Sequence, residues 1–107
     1  MATDRFIRWS DFPRPSKIDL MALIDEYVGT GFGCRHVVDR SFITIPGEPS
    51  SVPHFGEAYN KERFVEVFRA GHVSVITRQA DPLTAAIADG LVKFICFRTH
   101  GSMDMPK

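Results

Sequence analysis

Cys34 and His36 stand two residues apart in GTGFGCRHVVD, residues 29–39, and this pair comes nearest to reactive chemistry in the chain. Residues i and i+2 of a strand project from one face. A thiol and an imidazole so spaced could ligate one metal ion, or the imidazole could serve the thiol as a base. Two ligands do not make a site, and the others would have to come from His54, His72 or His100, which no sequence rule brings together. None shows the paired spacing of a zinc finger or the helical spacing of a zinc protease, so the reading assigns no metal and no cofactor. Arg35 should point to the opposite strand face, which leaves His36 alone to assist Cys34. Cys96, in the apolar run FICFR, reads as an inert core thiol.

Acid–base chemistry has His36, Asp39, His54, Glu57, Tyr59 and His72 to draw on, near strand ends or in a loop. Ser41 and Ser74 could be activated by a histidine, yet neither has the strand-turn-helix glycine frame of an exposed serine nucleophile. Gly29, Gly31 and Gly33 imitate a phosphate loop but in the wrong order: they follow a helix and open a strand, where carbonyls rather than amides are unpaired. A left-handed glycine cap explains them more simply. Arg5, Arg8, Arg14 and Lys17, interleaved with Phe6, Trp9 and Phe12, offer groups for phosphate contacts and base stacking. Asp4 and Asp11 dilute that charge, and the aromatics read better as a core seal or a subunit contact, with Trp9 and Phe12 the foremost interface candidates.

The elements that would position these groups follow from pattern. Ser16 caps a helix running to about Val28, with Leu20, Leu23, Ile24 and Tyr27 on its buried stripe and Ile18 and Met21 widening it. FIRW, residues 6–9, makes a short edge strand within an N-terminal arm, residues 1–15. One strand is expected over residues 35–45, its alternation slipping near Asp39-Arg40 as a bulge would make it slip. Residues 46–59 form a long loop suited to lid or binding work, in which His54, Phe55 and Tyr59 are candidate ligand contacts. Asn60 caps a second helix through KERFVEVFRAG, with Phe64, Val65, Val67 and Phe68 inside and Glu66 and Arg69 outside, ending at Gly71. HVSVIT, residues 72–77, is a strand, and Asp81-Pro82 starts a helix that includes LTAAIA.

LVKFICFR, residues 91–98, is then read as a strand after a stop at Asp89-Gly90, which makes residues 73–98 a βαβ unit with a parallel crossover. Continued as a helix, it would be apolar almost all round, a buried or dimer-forming element. Residues 99–107 are expected as a loose tail.

These elements amount to a single α+β domain over 1–107, with a mixed three- to four-stranded sheet and two or three helices packed on one face. Thirteen basic residues balance thirteen acidic ones, so the attraction that dominates nucleic-acid binding is missing at the level of the chain. The charged start MATDRFIRWSDF is no secretory leader, and no apolar run reaches a membrane span; a soluble cytoplasmic protein with free thiols is expected. No motif carries a family signature. The leading expectation is a homodimeric binding or interaction domain, its partner or a small apolar ligand meeting an uncovered sheet face or the 46–59 loop. The alternative is a small cofactor-free hydrolase or isomerase. It would draw its histidine acid–base chemistry from His36, His54, His72, Asp39 and Cys34 under that loop.

Overall fold

In a computed structural model of the chain, which describes residues 3–29, 33–44, 64–77 and 82–104, helix α1 spans Lys17–Val28. Its boundaries are those its residue types dictate. Ser16 Oγ accepts the Asp19 amide at 3.1 Å, and Gly29, at φ +56°, turns the chain out while its N–H closes on Asp25 O at 3.0 Å. Leu20, Ile24 and Val28 are buried; Leu23 and Tyr27 are half-buried, and Ile18 lies exposed outside the stripe.

Among the described residues, six strands form one sheet in the order β2-β3-β4-β5-β1-β6, in which every neighbouring pair is antiparallel. The strands are β1 (Thr3–Arg8), β2 (Gly33–Val37), β3 (Arg40–Thr44), β4 (Phe64–Phe68), β5 (Val73–Thr77) and β6 (Ser102–Asp104), and helix α2 spans Pro82–Thr99. The α+β class holds. The mixed sheet of three or four strands is corrected to six antiparallel ones, and the described helices number two.

Several local readings change with it. The single strand over 35–45 is a hairpin, β2 and β3 joined by the two-residue turn Val38-Asp39; the slip in alternation marks this turn and not a bulge. Within KERFVEVFRAG, Phe64–Phe68 is strand β4 instead of helix, because Val65 and Val67 alternate with Glu66 and Phe68 between two partner strands; the expected cap Asn60 and residues 61–63 lie outside the described residues. Gly71, at φ +73°, closes the β4–β5 connection rather than a helix.

LVKFICFR continues α2 without interruption. Gly90 is no stop: a Cβ there would lie 2.5 Å from the Tyr27 hydroxyl, which donates to Ile87 O at 2.9 Å, so glycine is what lets α1 approach α2. There is accordingly no 73–98 crossover to an adjacent parallel strand; α2 passes beneath β1 to β6, which pairs with β1 on its far side. The segment expected as an edge strand thus lies inside the sheet, and residues 102–104 of the expected loose tail are the edge.

Both helices pack on one face against Ile43, Val65, Val67, Val73 and Val75, with Ile24, Leu91 and Ile95 filling in from the helices. Each such side chain contributes about 1.5–3 kcal/mol by leaving water. Several polar groups sealed into this layer are paired across it. The buried Arg5 reaches Asp89 Oδ1 at 2.5 Å and Thr77 Oγ1 at 3.4 Å, joining β1, α2 and β5. Trp9 Nε1 donates to Thr99 Oγ1 at 2.9 Å, and Arg14 donates to Gly71 O at 2.7 Å and Arg69 O at 3.1 Å. The basic, aromatic arm therefore has most of its donors committed to the fold. No helix among the described residues is long and apolar enough to cross a membrane.

Candidate functional site

Two places concentrate unusual side chains. The first lies at the β2 edge, on the helix side of the sheet. Cys34 and His36 project from β2 toward α1, as their spacing requires, and Ser41 is the cross-strand partner of His36 on β3. His36 Nδ1 sits 2.6 Å from Ser41 Oγ, and Nε2 sits 2.7 Å from Asp25 Oδ1 on α1 and 3.9 Å from Cys34 Sγ. Behind Ser41, the buried Arg69 donates from Nε to Ser41 Oγ at 3.2 Å and from a terminal nitrogen to Arg40 O at 2.8 Å, while its other terminal nitrogen has no hydrogen-bond partner among the described residues. The donors and acceptors fit one direction: Arg69 gives to Ser41, Ser41 O–H to Nδ1, and Nε2–H to the Asp25 carboxylate.

A serine, a histidine and an aspartate in line invite a hydrolase reading, and the geometry refuses it. Ser41 is wholly buried and its oxygen is held by a guanidinium, so no substrate carbonyl can reach it. Cys34 fares no better as nucleophile. Burial and the neighbouring Asp25 carboxylate push its thiol up to about 11, against a smaller opposing pull from Arg69, so it is protonated at neutral pH. What remains is a donor set: ligand atoms of Asp25, Cys34 and His36 all lie within 4.8 Å of one another.

The second place is the end of the sheet where the β2–β3 and β4–β5 turns lie, on the face away from the helices. His72 packs between Phe6 and Phe68, ring centroids 5.6 and 5.1 Å away, and Arg40 stands over the Phe68 ring at 5.5 Å while binding Glu66 at 2.9 Å. Glu66, read from sequence as a wet helix position, is buried on this face, and Arg69, also read as wet, is buried on the other. Shallow clefts flank the aromatic group. One is lined by Val37, Val38, Asp39, Arg40 and Phe68, the other by Arg8, Trp9, Arg14, His72 and their neighbours. At the tip of the β2–β3 turn Val38 is 85% exposed with φ +46°, a conformation that costs a β-branched residue dearly.

Of the residues marked by sequence, Cys34 and His36 do come together, joined by Ser41. Asp39 lies at the turn, paired with Lys17 at 2.5 Å, and His72 lies on the opposite sheet face. Trp9 is half-buried against the core, and Phe12, 48% exposed, stacks on His100 at 4.4 Å. Cys96 is partly buried against the core as expected, its thiol raised by burial. His54, Phe55, Glu57 and Tyr59 lie outside the described residues, as does the whole 46–59 loop. Sequence reasoning missed Asp25, Arg69 and Val38. Asp25 lies off the apolar stripe of α1; only its place one turn before the Gly29 cap, ahead of a strand bearing Cys34 and His36, could have marked it.

Comparison with known proteins finds no matching family model, no matching curated protein and no matching solved structure.

Proposed function

We propose that this chain is a small self-associating interaction domain whose contact surface is the turn end of the sheet, the partner being a second copy. One observation carries the reading: Val38 holds an apolar, branched side chain in water, in a backbone conformation it disfavours, in a shallow cleft shared with Arg40 and Phe68. Strain of this kind persists where the surroundings gain from it, and an exposed valine gains nothing until another surface covers it. Arg40 beside Phe68 supplies the aromatic–arginine composition typical of interface centres. The chain's zero net charge removes the long-range repulsion that would oppose like copies meeting.

The Asp25–His36–Ser41 alignment favours the alternative, histidine-based catalysis, but the burial of Ser41 and the protonated Cys34 leave that arrangement without a nucleophile. Sedimentation equilibrium tests the proposal. The wild-type chain is expected at twice its 12.0 kDa mass at high micromolar concentration, with Val38→Asp returning it to monomer. A wild-type monomer throughout, or a dimer indifferent to Val38→Asp, would overturn it.

A further inference from the structure

We infer that Asp25, Cys34 and His36 form a binding site for a divalent, zinc-like cation at the β2 edge. The three side chains supply a carboxylate oxygen, a sulfur and an imidazole nitrogen, a mixture suited to zinc and its cobalt surrogate and poorly suited to magnesium or calcium. Their spacing is close to what one ion needs. Bonds of about 2.0–2.3 Å at tetrahedral angles place such atoms roughly 3.3–3.5 Å apart. His36 Nε2 stands 2.7 Å from Asp25 Oδ1 and 3.9 Å from Cys34 Sγ, each roughly half an ångström from that spacing, and all three ligand atoms lie within 4.8 Å of one another.

The supporting shell is already built. A ligating histidine needs its second nitrogen held, and here Nδ1 is 2.6 Å from Ser41 Oγ, itself anchored by the buried Arg69 at 3.2 Å. On binding, the imidazole changes tautomer, its one proton moving from Nε2 to Nδ1 through solvent while Nε2 takes the metal. Ser41 Oγ, with two lone pairs, then accepts from both Nδ1–H and Arg69 Nε–H. The Cys34 thiol releases its proton to solvent, so one proton leaves per cation bound. Three protein ligands leave a fourth position, and the exposed Asp25 side of the cluster gives water or a small anion access to it.

Cobalt titration of the full chain, read by its sulfur-to-cobalt charge-transfer absorption, is the test. The expected result is a single equivalent bound with the thiolate band present, the band lost in Cys34→Ser and kept in Cys96→Ser. Asp25→Asn, at an exposed helical position, should weaken binding at least about tenfold. Ser41→Ala should weaken it about 10–100-fold with the band unchanged in shape. No thiolate band in excess cobalt, a band that survives Cys34→Ser, or an affinity indifferent to Asp25→Asn would each overturn the inference.

Discussion

Asp39 holds the β2–β3 turn with two different groups: its carboxylate takes Lys17 Nζ at 2.5 Å, and its backbone carbonyl takes the Arg69 amide at 2.8 Å. The hydrogen bond from Lys17 keeps the Asp39 carboxyl below its ordinary value, aided by the charges of Lys17, Arg69 and Arg40. A carboxyl depressed in the folded state adds stability above its unfolded pKa of about 3.9 and loses it as pH falls through the lower folded value. Melting temperature should therefore fall more steeply between about pH 5 and pH 2 in the wild-type chain than in Asp39→Asn. The pH dependence of thermal unfolding in the two chains measures this directly. Val38 next door makes the opposite kind of prediction. Asparagine tolerates the left-handed region, so Val38→Asn should stabilise the dilute monomer by about 0.5–1 kcal/mol in urea unfolding, while weakening self-association. A residue that costs stability and is kept for contact gives opposite signs in those two measurements.

Gly90 carries the corresponding argument for elements. Because the Tyr27 hydroxyl occupies the place of its missing Cβ, Gly90→Ala should destabilise the chain by about 1–3 kcal/mol despite alanine's better helix propensity. In a Tyr27→Phe background the obstructing oxygen is gone, and the same substitution should stabilise by up to about 1 kcal/mol. Denaturant unfolding of the four chains checks the reversal. This glycine also shows why the sequence misled. A helix interior and a helix stop look alike until the packing partner is known, and Tyr27 lies 63 positions away in the chain.

Local chemistry was legible where it decides the outcome alone: the Ser16 cap, the Gly29 terminus, the Pro82 start and the alternation of β5. It was not legible in FVEVF, since positions 64, 65, 67 and 68 satisfy both a helical stripe and a strand register, and only pairing with β3 and β5 decides between them. The candidate site divides the same way. Cys34 and His36 were legible from spacing along one strand, and Asp25 and Arg69 were not, because helix and strand packing delivers them.

At the scale of the molecule, an antiparallel sheet carries both helices on one face, and among the described residues the other face presents strand side chains, including a buried Glu66 paired with Arg40 and the Phe6–His72–Phe68 group. The helix side holds the polar cluster on the β2–β3 hairpin, and the tip of the same hairpin holds the exposed apolar Val38, so self-association and cation binding would draw on neighbouring parts of one element. The helical face offers a rival contact, since α2 is apolar nearly all round and leaves Phe97 83% exposed. Phe97→Ser should accordingly leave the dimer mass unchanged where Val38→Asp abolishes it, a difference that sedimentation resolves. The central claim concerns where two copies meet, and the measurement that tests it most directly is an amide NMR dilution series on the wild-type chain. Concentration-dependent shifts centred on Val38, Arg40, Phe68 and His72 are the predicted result. Shifts confined to α2 around Phe97, or no shifts up to about 1 mM, where even a 4 kcal/mol association would register, would contradict it.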